Sequence, residues 1–221
     1  MKIKINFFSD TICGWCYIGH ARLMKAIQSF HNINFEIEHI PFQLNPEMPR
    51  EGIDREYYLQ MKFGGKENAQ PMYDHMVQEG IKEGLNINLE KIKKTPNTVL
   101  SHLLILQSKN QNLQNEIKEK LFKYYFEDGI DIGDENVIEK LKKEIPKIKF
   151  NLKELNSEKS KNEIIAKAFS SNKDFVSDIE DINSSQSIII NVDNIMFEKP
   201  YELNEVFEKA SNDWIKSLKI K

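Results

Sequence analysis

The segment that decides the fold is Lys2-Ile3-Lys4-Ile5-Asn6-Phe7-Phe8-Ser9-Asp10-Thr11-Ile12-Cys13-Gly14-Trp15-Cys16. Its first half alternates apolar and polar side chains, and this period of two predicts a β-strand. Its end carries both cysteines of the 221-residue chain. A helical pattern of apolar residues then follows, made of Leu23, Ala26, Ile27 and Phe30. Two cysteines with this spacing at a strand-to-helix junction indicate either a dithiol/disulfide redox centre or half of a metal site.

The position of the pair at the start of a helix favours redox chemistry. The first amides of a helix and its dipole stabilise a thiolate, which is the attacking species in disulfide exchange. We expect Cys13, at the exposed first position, to attack, and Cys16 to be the buried resolving thiol. Zinc would need four ligands, and the sequence contains no second Cys-x-x-Cys and no compact pair of histidines. No metal is therefore predicted, although a site shared across a dimer and an inert pair stay open.

Composition and charge exclude other classes of function. The 31 basic and 34 acidic residues give a net charge of −3 without long blocks of one sign. This balance gives no electrostatic basis for binding nucleic acid or a membrane surface. Residues 1–10 lack the pattern of a signal peptide, and no segment approaches the roughly 20 apolar residues that span a bilayer. We expect a cytoplasmic protein, in which a catalytic disulfide is more plausible than a structural one.

The order of predicted elements defines an α/β fold. A second alternating run at Ile33, Phe35 and Ile37 ends at Pro41, so the first forty residues form a βαβ unit with a right-handed crossover. Residues 57–150 are mainly helical, and two strands and a helix follow. We predict a thioredoxin-like βαβ-ββα core with an inserted α-helical domain. The core comprises residues 1–50 and 180–221, and the insertion comprises residues 51–179.

Four motifs in the first 135 residues resemble those of one family. They are Ser9-Asp10-Thr11-Ile12-Cys13-Gly14-Trp15-Cys16-Tyr17-Ile18-Gly19, Pro41-Phe42-Gln43-Leu44-Asn45-Pro46, the segment from Asn97-Thr98 to His102, and Tyr124-Tyr125-Phe126-Glu127-Asp128-Gly129-Ile130-Asp131-Ile132. Together they resemble the DsbA-like thioredoxin-fold oxidoreductases of the FrnE type. These proteins are related to the glutathione-dependent 2-hydroxychromene-2-carboxylate isomerases. The resemblance implies thiol–disulfide exchange at the cysteine pair.

The C-terminal third departs from the pattern of the family. The resemblance places a cis-proline just before the third strand, but here that slot falls on Ser184-Ser185-Gln186. A cis bond before a non-proline residue costs about 2.5–4 kcal/mol, so we expect Gln186 to be trans. The backbone facing the sulfurs is then reshaped, and Ser185 and Gln186 become the expected substrate-binding residues at this position.

Five other residues near the motifs are candidates for a role at the site. We expect Trp15 to present a substrate-facing ring, with capping of the helix start as the alternative. Asp10 is expected to cap the helix, or else to accept a proton. His20, on the same helical face as the second cysteine, is read as a solvated histidine, with a thiolate-stabilising histidinium as the alternative. Asn45 should anchor the proline-rich loop near the active site, and His102 should be a buried, satisfied histidine.

The predicted function is that of a cytosolic thiol–disulfide oxidoreductase acting through a mixed disulfide. Two alternatives are a glutathione-dependent isomerase or transferase and a weakly active, client-binding protein. No cofactor is predicted, with glutathione as a candidate co-substrate. The predicted partners are protein or small-molecule disulfides and thiols, without nucleic acid or membrane, and the chain is expected to be a monomer or a homodimer.

Overall fold

A three-stranded parallel sheet forms the centre of the computed structural model, which describes residues 2–31, 34–155, 157 and 187–191. Its strands are β1 (Lys2–Ser9), β2 (Asn34–Pro41) and β5 (Ser187–Asn191), in the order β2-β1-β5. Helix α1 (Gly14–Gln28) connects β1 to β2. The predicted βαβ unit is therefore present, with Ile5 opposite Ile37 and Phe7 opposite His39. The sheet places the end of β1, and with it the cysteine pair, beside the end of β2.

The described chain between β2 and β5, residues 42–155 and 157, is mostly helical, as predicted. Its helices are α2 (Arg55–Phe63), α3 (Lys66–Lys82), α4 (Val99–Gln107), α5 (Gln114–Phe126), α6 (Glu135–Glu144) and α7 (Leu152–Leu155), with 3-10 turns at Leu89–Lys91 and Lys109–Gln111. A short antiparallel pair, β3 (Ile53–Asp54) and β4 (Lys94–Thr95), joins the start of α2 to the segment before α4. All these elements lie within residues 51–179; the boundaries of the two predicted domains stay predictions.

The core lies where α1 and α5 meet the sheet. Phe7 of β1 and Ile117 and Phe122 of α5 are fully buried. The ring of Tyr17 stacks on Phe122 at 4.9 Å between centroids, and its hydroxyl donates to Glu127 Oε1 at 2.7 Å. The aromatic run Tyr124-Tyr125-Phe126 is buried, in agreement with its interpretation as insertion core. Because α5 belongs to the predicted insertion, that insertion packs on the strand–helix unit that carries the cysteines.

Helix α3 also packs on α1, through ion pairs. Arg22 of α1 contacts Glu79 at 2.6 Å and Glu83 at 2.8 Å, and Lys25 contacts Glu83 at 2.8 Å. These contacts hold the C-terminal half of α3 and the residue after it beside α1. At its other end, α3 follows α2 through Gly64 and Gly65, whose φ angles are +75° and +127°. A side chain is strained at such angles, so the turn between α2 and α3 requires glycine.

Two helix ends in this part of the chain have defined caps or turns. Asp134 caps α6, since its Oδ1 accepts from the Asn136 amide at 2.8 Å. Helix α5 ends at Phe126, and Gly129 adopts φ +70° in the following turn. The predicted strand after β5 and the final helix lie outside the described residues. In the part of the chain that is described, no helix is both long and apolar enough to cross a membrane.

Candidate active site

Cys13 is the N-cap residue of α1. Its backbone is extended, with φ −93° and ψ 110°, and its Sγ accepts a hydrogen bond from the Cys16 amide at 3.2 Å. The sulfur thus occupies the place in which a serine or aspartate oxygen usually satisfies the first amides of a helix. An amide that points at sulfur favours negative charge there, and the positive end of the helix dipole acts in the same direction. Both cysteines are thiols.

The prediction that Cys13 is exposed was wrong. Cys13 is 2% exposed and Cys16 is fully buried. Helix α3 crosses the start of α1, with Met76 directly over Gly14. A Cβ atom on Gly14 would lie 2.1 Å from the Met76 Sδ, well inside van der Waals contact. The absence of a side chain at Gly14 therefore lets α3 close over the cysteine pair.

The ring of Trp15 is buried and not exposed as expected, and its contact with substrate stays a prediction. Trp15 is 8% exposed, and its ring centroid lies 5.5 Å from that of His75, which is on α3 next to Met76. The indole is thus covered by the same helix that covers the sulfurs. Sequence reasoning missed both α3 residues, because their contacts with α1 cross about sixty positions and leave no local pattern.

Asp10 does not cap α1, contrary to the prediction. Its carboxylate is fully buried, and Oδ2 accepts from the Leu44 amide at 2.7 Å. Its other oxygen, Oδ1, lies 3.2 Å from His102 Nε2. The side chain turns away because Cys13 already caps the helix, while the proline-rich loop and α4 offer partners. Asp10 therefore ties three segments together directly before the cysteine pair.

The pKa values of Asp10 and His102 are set by burial and by each other. Burial alone would raise the pKa of Asp10, but the hydrogen bond and charge of His102, the Leu44 amide and the charge of Lys118 together hold it below the usual value. Burial lowers the pKa of His102, although Asp10 and the backbone of Phe42 favour its proton. Asp10 is therefore ionised at neutral pH, and His102 is buried and satisfied, in line with its interpretation from the sequence.

Lys118 is a buried cation that sequence reasoning missed. It is 1% exposed, and its Nζ lies 3.4 Å from the Ser9 carbonyl and 5.0 Å from the Phe122 ring centre. Its charge lowers the pKa of Asp10, as described above. The helical period did contain a signal, because Leu121, Phe122 and Tyr125 lie three, four and seven positions later on the same face of α5. Lys118 thus places positive charge beside the turn that leads to Cys13.

His20 is neither solvated nor a histidinium, so both interpretations from the sequence were wrong. It is 1% exposed and in aromatic contact with Phe7 and His39, and no hydrogen-bond partner for its Nε2 lies among the described residues. Burial, and then the charge of Lys118, lower its pKa to about 4, against a smaller opposing effect from Asn115. The pKa of His39 lies well below its ordinary value for the same first two reasons. His20 is therefore neutral at pH 7.

Asn45 anchors the proline-rich loop to α2. Its side chain lies 3.4 Å from the Tyr58 hydroxyl, and its Oδ1 accepts from Lys62 at 3.3 Å. Burial raises the pKa of Tyr58, and the charges of Asp10 and Cys13 add to this effect while Asn45 and Arg55 oppose it. The sequence did not reveal Tyr58 as the partner of Asn45.

Two predicted site residues, Ser185 and Gln186, lie outside the described residues, as does the slot of the expected cis-proline. Among the residues that the structure describes, no group of three or more His, Cys, Asp or Glu side chains is arranged to hold a metal ion. The site assembled on the described part of the chain is therefore a buried dithiol at a helix N-terminus, on a turn that charged and polar groups fix from behind.

Comparisons with known proteins agree with this geometry. A family model described as a DSBA-like thioredoxin domain matches residues 4–171. The uncharacterized protein YwbO of Bacillus subtilis (strain 168) is 27% identical over 145 residues, which are 66% of this chain and 67% of YwbO.

Solved structures share the fold at low sequence identity. The probable DsbA oxidoreductase SCO1869 from Streptomyces coelicolor has a TM-score of 0.65 and 19% identity, over 84% of this chain and 78% of its own. The cytosolic disulfide reductase DsbM from Pseudomonas aeruginosa has a TM-score of 0.55 and 13% identity, over 78% and 77%. A 2-hydroxychromene-2-carboxylate isomerase has a TM-score of 0.54 and 11% identity, over 77% and 79%. The structures that share the fold therefore include both disulfide oxidoreductases and a 2-hydroxychromene-2-carboxylate isomerase.

Proposed function

Because the chain belongs to the DSBA-like thioredoxin domain family, we propose that it is a thiol–disulfide oxidoreductase in which Cys13 attacks and Cys16 resolves. The observation that carries this proposal is the hydrogen bond from the Cys16 amide to the Cys13 sulfur at 3.2 Å. It aims the start of α1 at the first sulfur and keeps the second cysteine one turn further along the same helix. Cys13 therefore has its proposed resolving partner within reach.

The proposed reaction moves two electrons from the dithiol to a substrate disulfide. The Cys13 thiolate attacks one substrate sulfur and forms a mixed disulfide with it. The substrate S–S bond breaks in this step, and the other substrate sulfur leaves as the first thiolate. Cys16 then loses its proton and attacks the Cys13 sulfur, and this releases the second substrate thiolate. The protein ends as the Cys13–Cys16 disulfide. The same steps in reverse oxidise a substrate dithiol.

The buried groups behind the pair have a positioning role in this proposal. Asp10 holds the Leu44 amide at 2.7 Å and His102 at 3.2 Å, so the turn that carries Cys13 is fixed to the proline-rich loop and to α4. Thr11, the next residue, bonds Ser101 of α4 at 2.8 Å. A sulfur held on such a turn keeps its direction relative to the helix when a substrate approaches.

The proposed substrates are protein or small-molecule disulfides and thiols, with glutathione as co-substrate and no bound cofactor. We also propose that the protein acts in the cytoplasm as a monomer or a homodimer. The name of DsbM, a cytosolic disulfide reductase with the same fold, supports the compartment and the class of reaction. Reduced glutathione is the abundant thiol of that compartment and would reduce the Cys13–Cys16 disulfide, and oxidised glutathione would accept the two electrons of the dithiol in the reverse direction.

The test compares wild type, Cys13→Ser and Cys16→Ser in insulin reduction and in oxidative refolding of a reduced protein. Wild type should be active in at least one direction, and both variants should lose turnover. Cys16→Ser should also accumulate a glutathione adduct on Cys13 that is visible by intact mass, because the resolving step is blocked. Cys13→Ser, which keeps one thiol, is the matched control and should form none.

Two outcomes would support the competing functions. Glutathione-dependent conversion of an aromatic substrate that survives Cys16→Ser would support an isomerase, since only the first thiol site is then needed. Tight binding of unfolded polypeptide, with no exchange in either direction and no glutathione adduct, would support a client-binding protein. Either result would refute the proposed oxidoreductase.

A further inference from the structure

The cover over the cysteine pair is a distinct feature of this molecule. A substrate disulfide must approach Cys13 along the line of its own S–S bond, yet only 2% of Cys13 is exposed. Met76 lies over Gly14, between the cysteines, and His75 lies against Trp15. Met76 itself is 3% exposed, so it is packed between α3 and the helix start. The described arrangement is therefore closed to substrate.

Helix α3 has features that would let it move as a unit away from α1. Its N-cap residue is Gly65, which has no side chain to cap the helix and follows Gly64, a residue in a left-handed conformation. Pro71 lies inside the helix and lacks the amide that would complete the backbone ladder there. Two consecutive glycines accept large changes of backbone angle, which makes them suited to act as a hinge.

The contacts that keep α3 closed divide into an apolar plug and a polar latch. The plug is Met76 against Gly14. The latch is the set of ion pairs from Arg22 to Glu79 and Glu83 and from Lys25 to Glu83, at 2.6–2.8 Å. The side chains of Arg22, Glu79 and Glu83 are 18%, 6% and 14% exposed, whereas that of Lys25 is 56% exposed, so solvent reaches the latch mainly at Lys25. Met72 and Ile81 of α3 are 39% and 57% exposed, so solvent reaches the helix at both positions.

We propose that α3 is a lid over the dithiol, which turns at Gly64 and Gly65 and is closed by Met76. Opening lifts Met76 from Gly14 and exposes the Cys13 sulfur, while the rest of the fold stays intact. The use of the lid rests on the proposed function, because it admits a disulfide to Cys13. Its existence does not, because a thiol that is covered and uncovered reacts with an alkylating reagent whether or not the pair performs exchange.

The test measures the alkylation of Cys13 by iodoacetamide in the full chain carrying Cys16→Ala, as urea is raised below the unfolding transition. Local opening predicts a rate below that of an unfolded chain and a urea dependence much weaker than that of global unfolding. A urea dependence equal to that of global unfolding would overturn the lid, because Cys13 would then react only from the unfolded state. A rate equal to that of the unfolded chain without urea would overturn the closed state itself.

Matched variants assign the closure to Met76 and the latch. In the Cys16→Ala chain, Met76→Ala should raise the alkylation rate about ten-fold. Removal of the buried methionine side chain destabilises the closed position of α3 relative to the open one. Met72→Ala, one turn away and exposed, should leave the rate unchanged. Glu83→Gln weakens the latch and should raise the rate about three-fold, whereas Glu67→Gln at the start of α3 should not. Equal effects in the paired variants, or no effect of both Met76→Ala and Glu83→Gln, would refute the proposal.

Discussion

His20 should make the stability of this protein fall as the pH is lowered from 7.5 to 5. The imidazole is 1% exposed, packs against Phe7 and Phe122, and has no hydrogen-bond partner for Nε2 among the described residues. Burial, followed by the charge of Lys118, lowers its pKa from 6.5 to about 4. Between these two values the unfolded chain binds the proton and the folded chain does not. The free energy of unfolding therefore decreases as the pH falls through this window.

The size of the effect follows from the two pKa values. At pH 5 the unfolded state gains about 2 kcal/mol relative to neutral pH from His20 alone, and the full difference of about 3 kcal/mol is reached below pH 4. His39, whose pKa is also lowered well below its usual value by burial, adds to the loss in the same direction. The neutral histidines therefore make mild acid a destabilising condition.

The assay is urea unfolding followed by circular dichroism at pH 7.5, 6 and 5. Wild type should lose at least about 2 kcal/mol between the two ends, and His20→Leu, of similar volume, should lose about 2 kcal/mol less than wild type. His31→Gln removes an exposed histidine and is the control that should behave as wild type. A wild-type stability that is flat over this range, or an undiminished loss in His20→Leu, would refute the reasoning.

Three further substitutions test packing and charge near the cysteines by urea unfolding. Gly14→Ala should lower the free energy of unfolding by about 1–3 kcal/mol, because its Cβ would meet Met76 Sδ at 2.1 Å. Met76→Ala in the same chain should remove most of that loss, and strictly additive effects of the two substitutions would contradict the contact. Asp10→Asn should cost about 3 kcal/mol, because it removes a fully buried carboxylate that faces Lys118; a neutral result would mean that this charge is solvated. Tyr17→Phe should cost about 1–2 kcal/mol by loss of the bond to Glu127, with no loss expected if water replaces that partner.

The predicted elements around the cysteines came from local patterns, and these patterns were sufficient. The alternation of residues in β1 and β2 fixed two strands and which of their faces is buried. The cysteine spacing after β1 then fixed the start of α1. The fold class followed from this order, because a βαβ unit of such length leaves few other topologies.

The surroundings of the site depend on contacts between distant parts of the chain, which no local pattern encodes. Met76 packs over Gly14, and His75 packs against Trp15, from some sixty positions away. Asp10 does not cap α1 because its carboxylate binds the Leu44 amide in the proline-rich loop and His102 in α4, which are 34 and 92 positions away. Sequence periodicity predicts which face of an element is buried, but not which element covers it.

Lys118 and His20 show a different kind of failure. A lysine or a histidine on a helix is ordinarily solvated, so the residue type predicts an exposed side chain even where the neighbouring residues predict a buried face. Both residues occupy the apolar face of their helices, beside Phe122. The periodicity was therefore informative, and the residue type was misleading.

The most direct test of the account is the redox equilibrium of Cys13 and Cys16 with glutathione. Protein equilibrated across ratios of reduced to oxidised glutathione is quenched with an alkylating reagent, and the thiols are counted by mass. We predict a single two-electron transition in which both thiols disappear together, within the roughly −270 to −120 mV spanned by thioredoxin-fold oxidoreductases. Cys16→Ser should show only a mixed disulfide on Cys13. Two thiols that persist at every ratio, with no adduct in either form of the chain, would contradict the claim that this pair is a redox centre.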